Sequence, residues 1–83
     1  MAPTAEEWLA QFAEALGQPP PSKDELAALL ELASVAAHSS ERRAAPIACW
    51  LTARAGLEPG QARAIAEALS AGEPPPAPAP RDR

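Results

Sequence analysis

Cysteine is almost missing from this chain. Cys49 stands alone, which excludes an intramolecular disulfide and a cysteine-based zinc site of the usual kind. Histidine also occurs once, at His38, so no ligand pair at i, i+4 spacing exists and no metal is expected. Tyrosine is absent, and the aromatics are Trp8, Phe12 and Trp50. No apolar run approaches the roughly 20 residues that span a bilayer. The opening MAPTAEEW has neither the basic start nor the apolar run of a signal peptide. These absences together lead to the expectation of a cytoplasmic protein with no membrane contact. Basic residues are in the minority, 7 against 11 acids, for a formal net charge of −4. That balance argues against nucleic-acid binding, whose affinity rests on a basic footprint.

The charge is unevenly placed. Through Glu41 there are seven acids and one base, Lys23; from Arg42 to Arg63 there are four arginines and one acid, Glu58. At 83 residues the chain is one domain at most. Its 47% apolar content is largely alanine; the big apolar side chains are nine Leu, two Ile, one Val, one Phe, one Met and two Trp. A chain this short buries only about 60% of its unfolded surface. A homodimer, or docking on a larger protein, would supplement so small a core.

Four helices can be read in order. Thr4-Ala5-Glu6-Glu7 is a capping box, and Trp8, Leu9, Phe12 and Leu16 follow at helical spacing, predicting a helix over 5–16 that Gly17 stops. Three prolines at 19–21 break the chain before a second box, Ser22-Lys23-Asp24-Glu25. The next helix places Leu26, Leu29, Leu30, Ala33 and Ala37 on one side, with Leu32 and Ala36 beside them. This wide stripe marks the central helix, which fades at His38-Ser39-Ser40. Pro46 disfavours helical geometry at Ala45 and suits a first turn. The third helix is expected to carry Ile47, Trp50 and Leu51 inward and to stop at Gly56, with Leu57 folding back over its last turn. Pro59 begins the fourth, whose stripe is Ala62, Ile65, Ala66 and Leu69, and Gly72 ends it. Residues 73–83, EPPPAPAPRDR, hold five prolines and nothing to pack, so a disordered tail is expected. The expectation is therefore an all-α, compact four-helix domain over 4–72 with a disordered Pro-rich C-terminal tail over 73–83. Trp8 and Trp50 are assigned to the core.

The chemically varied stretch is the elbow between the second and third helices. His38 can serve as a base only with a partner, and Glu41 three residues on is the candidate. The structural alternative has the imidazole capping the last turn of its own helix. Arg42 and Arg43 precede a helix N-terminus, where N–H groups and guanidinium groups can hold an anion. They can equally pair with the acids of the first half, for about 0–1 kcal/mol each. Ser39 and Ser40 lie near His38, but no glycine-rich nucleophile elbow accompanies them, and a hydrolase is set aside. Cys49 lacks an evident base. With only Arg54 inside it, the third helix is no DNA-reading element.

Val35 to Leu51, VAAHSSERRAAPIACWL, resembles a small helical domain family of uncharacterised function from high-GC bacteria. The likeness lies in Ala37-His38, Glu41-Arg42-Arg43 and Ala44-Ala45-Pro46, with Glu7-Trp8-Leu9 and Ala15-Leu16-Gly17 in the first helix. Such domains occur alone or fused to a nucleotidyltransferase that resembles the guanylyltransferase of molybdenum-cofactor biosynthesis, which joins a guanosine nucleotide to molybdopterin. The resemblance implies a non-catalytic binding or accessory module, with such a nucleotidyltransferase as its partner and no cofactor of its own. Its contact surface would be His38, Glu41, Arg42, Arg43 and Pro46. Two alternatives stand beside this reading. One is a small enzyme or cofactor-binding domain using His38 and Glu41; the other is a self-associating domain whose Trp faces pair.

Overall fold

A computed structural model describes residues 2–80: four helices and, among those residues, no strand. They are α1 (Ala5–Ala15), α2 (Lys23–Ser39), α3 (Ala44–Ala55) and α4 (Pro59–Ser70). Both capping boxes form. The Glu7 N–H donates to Thr4 Oγ1 at 3.1 Å and the Thr4 N–H to Glu7 Oε1 at 2.8 Å; Ser22 and Glu25 repeat the pattern at the same distances. Each helix start thus has two otherwise orphaned N–H groups satisfied.

Three helices end in the same glycine device. At α3 the Gly56 N–H reaches the Ala53 carbonyl and the Leu57 N–H the Thr52 carbonyl, with Gly56 at φ +74°. That left-handed turn is open to glycine without steric cost, and it folds Leu57 back into the core. Gly17 and Gly72 close α1 and α4 in the same way.

One boundary moves. α3 begins at Ala44, two residues before Pro46, so Ala45 is helical despite the proline after it. The N–H groups of Ala44 and Ala45 bond to the carbonyls of Glu41 and Arg42 and close a tight turn that leads into the helix. A proline in the first turn removes no intrahelical bond, because N–H groups there have no such partner.

As expected, α2 is central: α4 and α3 both pack on it, while α1 makes no comparable contact with any helix. The molecule measures 43 × 33 × 18 Å. Two packed helices, about 8–10 Å between axes and about 10–12 Å across each, are about 18–22 Å deep, so a body 18 Å thin is no more than two helices deep and every helix keeps an open face. The core is accordingly small: Leu32 (2% exposed), Leu57 and Ala62, with Cys49, Ile65 and Ala66 packed against them. Buried Thr52 satisfies its hydroxyl on the Ala48 carbonyl at 2.9 Å.

This thin packing overturns the expected inward faces. α3 lies on α2 through small residues at helical spacing, Ala45, Ala48, Cys49 and Thr52, which are half-buried or buried. Small side chains permit close approach of two helices, and they turn the large ones out. Ile47, Trp50 and Leu51 are exposed, Trp50 by 58%, and its ring lies under the Arg54 guanidinium at 4.5 Å. Trp8 is 52% exposed, so neither tryptophan is a core residue. On α2, Leu32 takes the position expected of Leu30, which is 63% exposed; on α4, Leu69 leaves the stripe for solvent. Of the expected tail over 73–83, residues 73–80 are exposed and carry neither helix nor strand, and 81–83 lie outside the described residues. Pro80 comes near enough to Gly56 that a Cβ placed there would stand 3.8 Å from Pro80 Cβ.

Candidate functional site

Four of the five elbow residues, Glu41, Arg42, Arg43 and Pro46, line one open depression, and His38 lies apart from it. His38, in the last turn of α2, has Nδ1 2.7 Å from the carbonyl oxygen of Ser34 and 3.2 Å from Ser34 Oγ. A carbonyl can only accept, so the proton is on Nδ1 and the imidazole ties down its own helix. Glu41 turns to Arg43 instead of His38: Arg43 Nε stands 3.4 Å from Glu41 Oε1 and Arg43 Nη2 3.4 Å from Oε2, both side chains well exposed. The two arginines therefore do not reach the acids of α1 and α2. Arg42 is exposed, and Pro46 lies in the first turn of α3 with its ring at the surface. Ser39 and Ser70 join their hydroxyls across the C-terminal ends of α2 and α4, and Ser70 Oγ also donates to the Ala66 carbonyl at 2.9 Å.

Three of the five elbow residues border something the sequence does not reveal. Glu41, Arg43 and Pro46 rim an open, apolar groove of about 740 Å³ between α2, α3 and α4. Val35, Ile47, Leu51, Ala66 and Leu69 form its walls, and the Ser39–Ser70 pair lies along one side. This volume falls within the roughly 300–1,000 Å³ of ligand-sized clefts. Its polar groups are few and sit at the rim, which suits an apolar side chain better than a charged small molecule. Spacing assigns Ile47, Leu51 and Leu69 to the core; only the close packing of small residues on α3 and α4 frees them to line a groove.

The remaining candidates are structural. Arg63 of α4 bonds Glu31 of α2 at 2.8 Å and braces that helix pair, a tie that sequence reading did not pick out across 32 positions. Cys49 is half-buried, and burial raises its thiol above the ordinary value, which keeps it protonated and a poor nucleophile. It borders a smaller depression lined also by Pro19, Pro20, Pro21, Thr52, Leu57 and Pro59. Among the described residues no group of three or more His, Cys, Asp or Glu is placed to hold a metal ion. No described helix is long and apolar enough to cross a membrane.

A family described as Domain of unknown function (DUF6457) matches residues 2–74, which includes all four helices and the whole groove. The chain belongs to this family. The match spans both capping boxes, the elbow and the three glycine stops, the features that set the DUF6457 architecture in this chain. No curated protein and no solved structure matches the chain.

Proposed function

We propose that this DUF6457 domain is a non-catalytic binding module, with the groove between α2, α3 and α4 and the adjoining elbow as its contact surface. The observation that carries the reading is the exposure of Ile47, Leu51 and Leu69 around one apolar cleft with a charged rim. Contiguous exposed apolar surface of this kind marks interaction sites on small soluble domains. Leu51 and Leu69 supply apolar contact, Glu41, Arg43 and Arg42 a polar border, and Pro46 a rigid edge. That is the arrangement of an apolar centre with a polar rim typical of protein interfaces. His38, engaged with Ser34 through Nδ1, supports the placement of α2's end. The Pro-rich residues 73–80 serve as an extension beyond the four helices.

The partner implied by the family resemblance is a cytoplasmic bacterial nucleotidyltransferase of molybdenum-cofactor biosynthesis. Calorimetric titration of the full chain with that enzyme tests it, with a guanosine nucleotide in a separate series. Binding of the enzyme that Leu69→Glu weakens by on the order of tenfold or more supports the module and its surface. Binding of the nucleotide alone replaces the docking reading with a ligand site. Absence of heat in both series removes this partner.

A further inference from the structure

A second apolar surface lies on α1. Trp8, Phe12 and Leu16 recur every four residues along one face and all are exposed, while Leu9 and Ala13 take the sheltered face. The Trp8 and Phe12 rings stack at 5.1 Å between centroids, so the stripe is already ordered before anything covers it. α1 is acidic throughout, with Glu6, Glu7 and Glu14 and no base. It does not line its own groove. The prolines at 19–21 line a separate depression with Thr52, Leu57 and Pro59, at the C-terminal end of α3 and the start of α4. The groove is lined by another face of α3, through Pro46, Ile47 and Leu51.

Resting on the reading of the groove as a docking surface, we infer that its occupant in the isolated protein is α1 of a second copy. Two chains exchange their first helices about a two-fold axis. Trp8, Phe12 and Leu16 of each copy lie on Val35, Ile47, Leu51 and Leu69 of the other. Charge favours this pairing. The three glutamates of α1 meet an elbow on which Glu41 is already matched by Arg43, leaving Arg42 as the uncompensated cation. Area suits a weak pairing. Two half-exposed aromatics and a leucine withdraw about 300 Å² from water and the groove about 200 Å²; twice over, the total is on the order of 1,000 Å², the size of a readily dissociating interface. Such an isologous exchange closes on itself as a dimer, and it covers the apolar surface that so thin a body leaves open.

The test is sedimentation velocity of the full chain and two variants, Trp8→Glu and Leu69→Glu. Both positions are exposed, so circular dichroism should report unchanged helix content. Over a dilution series from about 1 mM to about 1 µM, where interfaces near this size dissociate, the wild type should pass from dimer to monomer. Each variant alone should dissociate at least about tenfold more readily. Mixed together they should recover association, because the intact α1 of the Leu69→Glu chain fits the intact groove of the Trp8→Glu chain. A wild type that is monomeric throughout overturns the exchange. So does a dimer indifferent to Leu69→Glu, or a mixture no stronger than its parts, as pairing of Trp faces would give. In each of these cases the groove can still pass or fail separately as a docking surface, by its titration with the nucleotidyltransferase.

Discussion

Leu30 and Leu32 are the same residue type on the same helix, two positions apart, and the fold assigns them opposite environments. Leu32 is 2% exposed at the centre of the core, and Leu30 is 63% exposed. Replacing a buried leucine by alanine costs about 2–5 kcal/mol, the upper values where a rigid cavity persists. In a body 18 Å thin the walls can relax, so Leu32→Ala should cost about 2–3 kcal/mol. For a domain whose whole stability lies near the low end of about 5–15 kcal/mol, that is close to half. It corresponds to a fall in Tm of roughly 10–20 °C at this chain length. Leu30→Ala removes a side chain already mostly in water and should cost less than about 1 kcal/mol, helped by the better helix propensity of alanine. Urea unfolding followed by far-ultraviolet circular dichroism reads both. Equal costs, or a larger cost at Leu30, would mean that α2 is turned to the face its leucine spacing suggests, and the packing described here would be refuted.

Gly56→Ala places a side chain at φ +74° and should destabilise by about 1 kcal/mol or more; no measurable loss would show that the cap of α3 rearranges freely. A double-mutant cycle on Glu31 and Arg63 should return a coupling of about 0–1 kcal/mol that fades in high salt, because both side chains are partly solvated. Cys49 should alkylate more slowly than a free thiol near neutral pH, since burial raises its pKa. The sign for stability follows: the unfolded thiol ionises first, so stability is intact below the ordinary thiol pKa and declines as pH rises through the alkaline range. Rapid alkylation or a pH-independent unfolding midpoint there would contradict its burial.

The ends of the helices are written locally and could be read from the chain. Thr4 with Glu7, Ser22 with Glu25, and Gly17, Gly56 and Gly72 each act within a few residues of themselves, so they appear in the structure where sequence places them. The faces are a different matter. In helices this rich in alanine a stripe of large residues and a stripe of small ones are equally periodic. On α3 the small stripe wins the contact with α2, because close approach shelters more backbone and methyl surface than one tryptophan could fill. Trp8 and Phe12 form a sound amphipathic face that stays about half exposed among the described residues. The elbow could be located from its residue types, but the groove it borders could not. Val35, Ile47, Leu51 and Leu69 come from three helices, and only their packing brings them together. The Glu31–Arg63 brace is hidden for the same reason.

The measurement that reaches the central claim most directly is a backbone-amide NMR map of the labelled chain with the nucleotidyltransferase added. The docking account predicts shifts in the groove and elbow, at Val35, Glu41 to Leu51 and Ala66 to Ser70, and at Trp8 to Leu16 as the second copy's α1 is displaced, with the proline side of the molecule at 18–21 silent. Shifts centred elsewhere, or none at saturating enzyme, would contradict it.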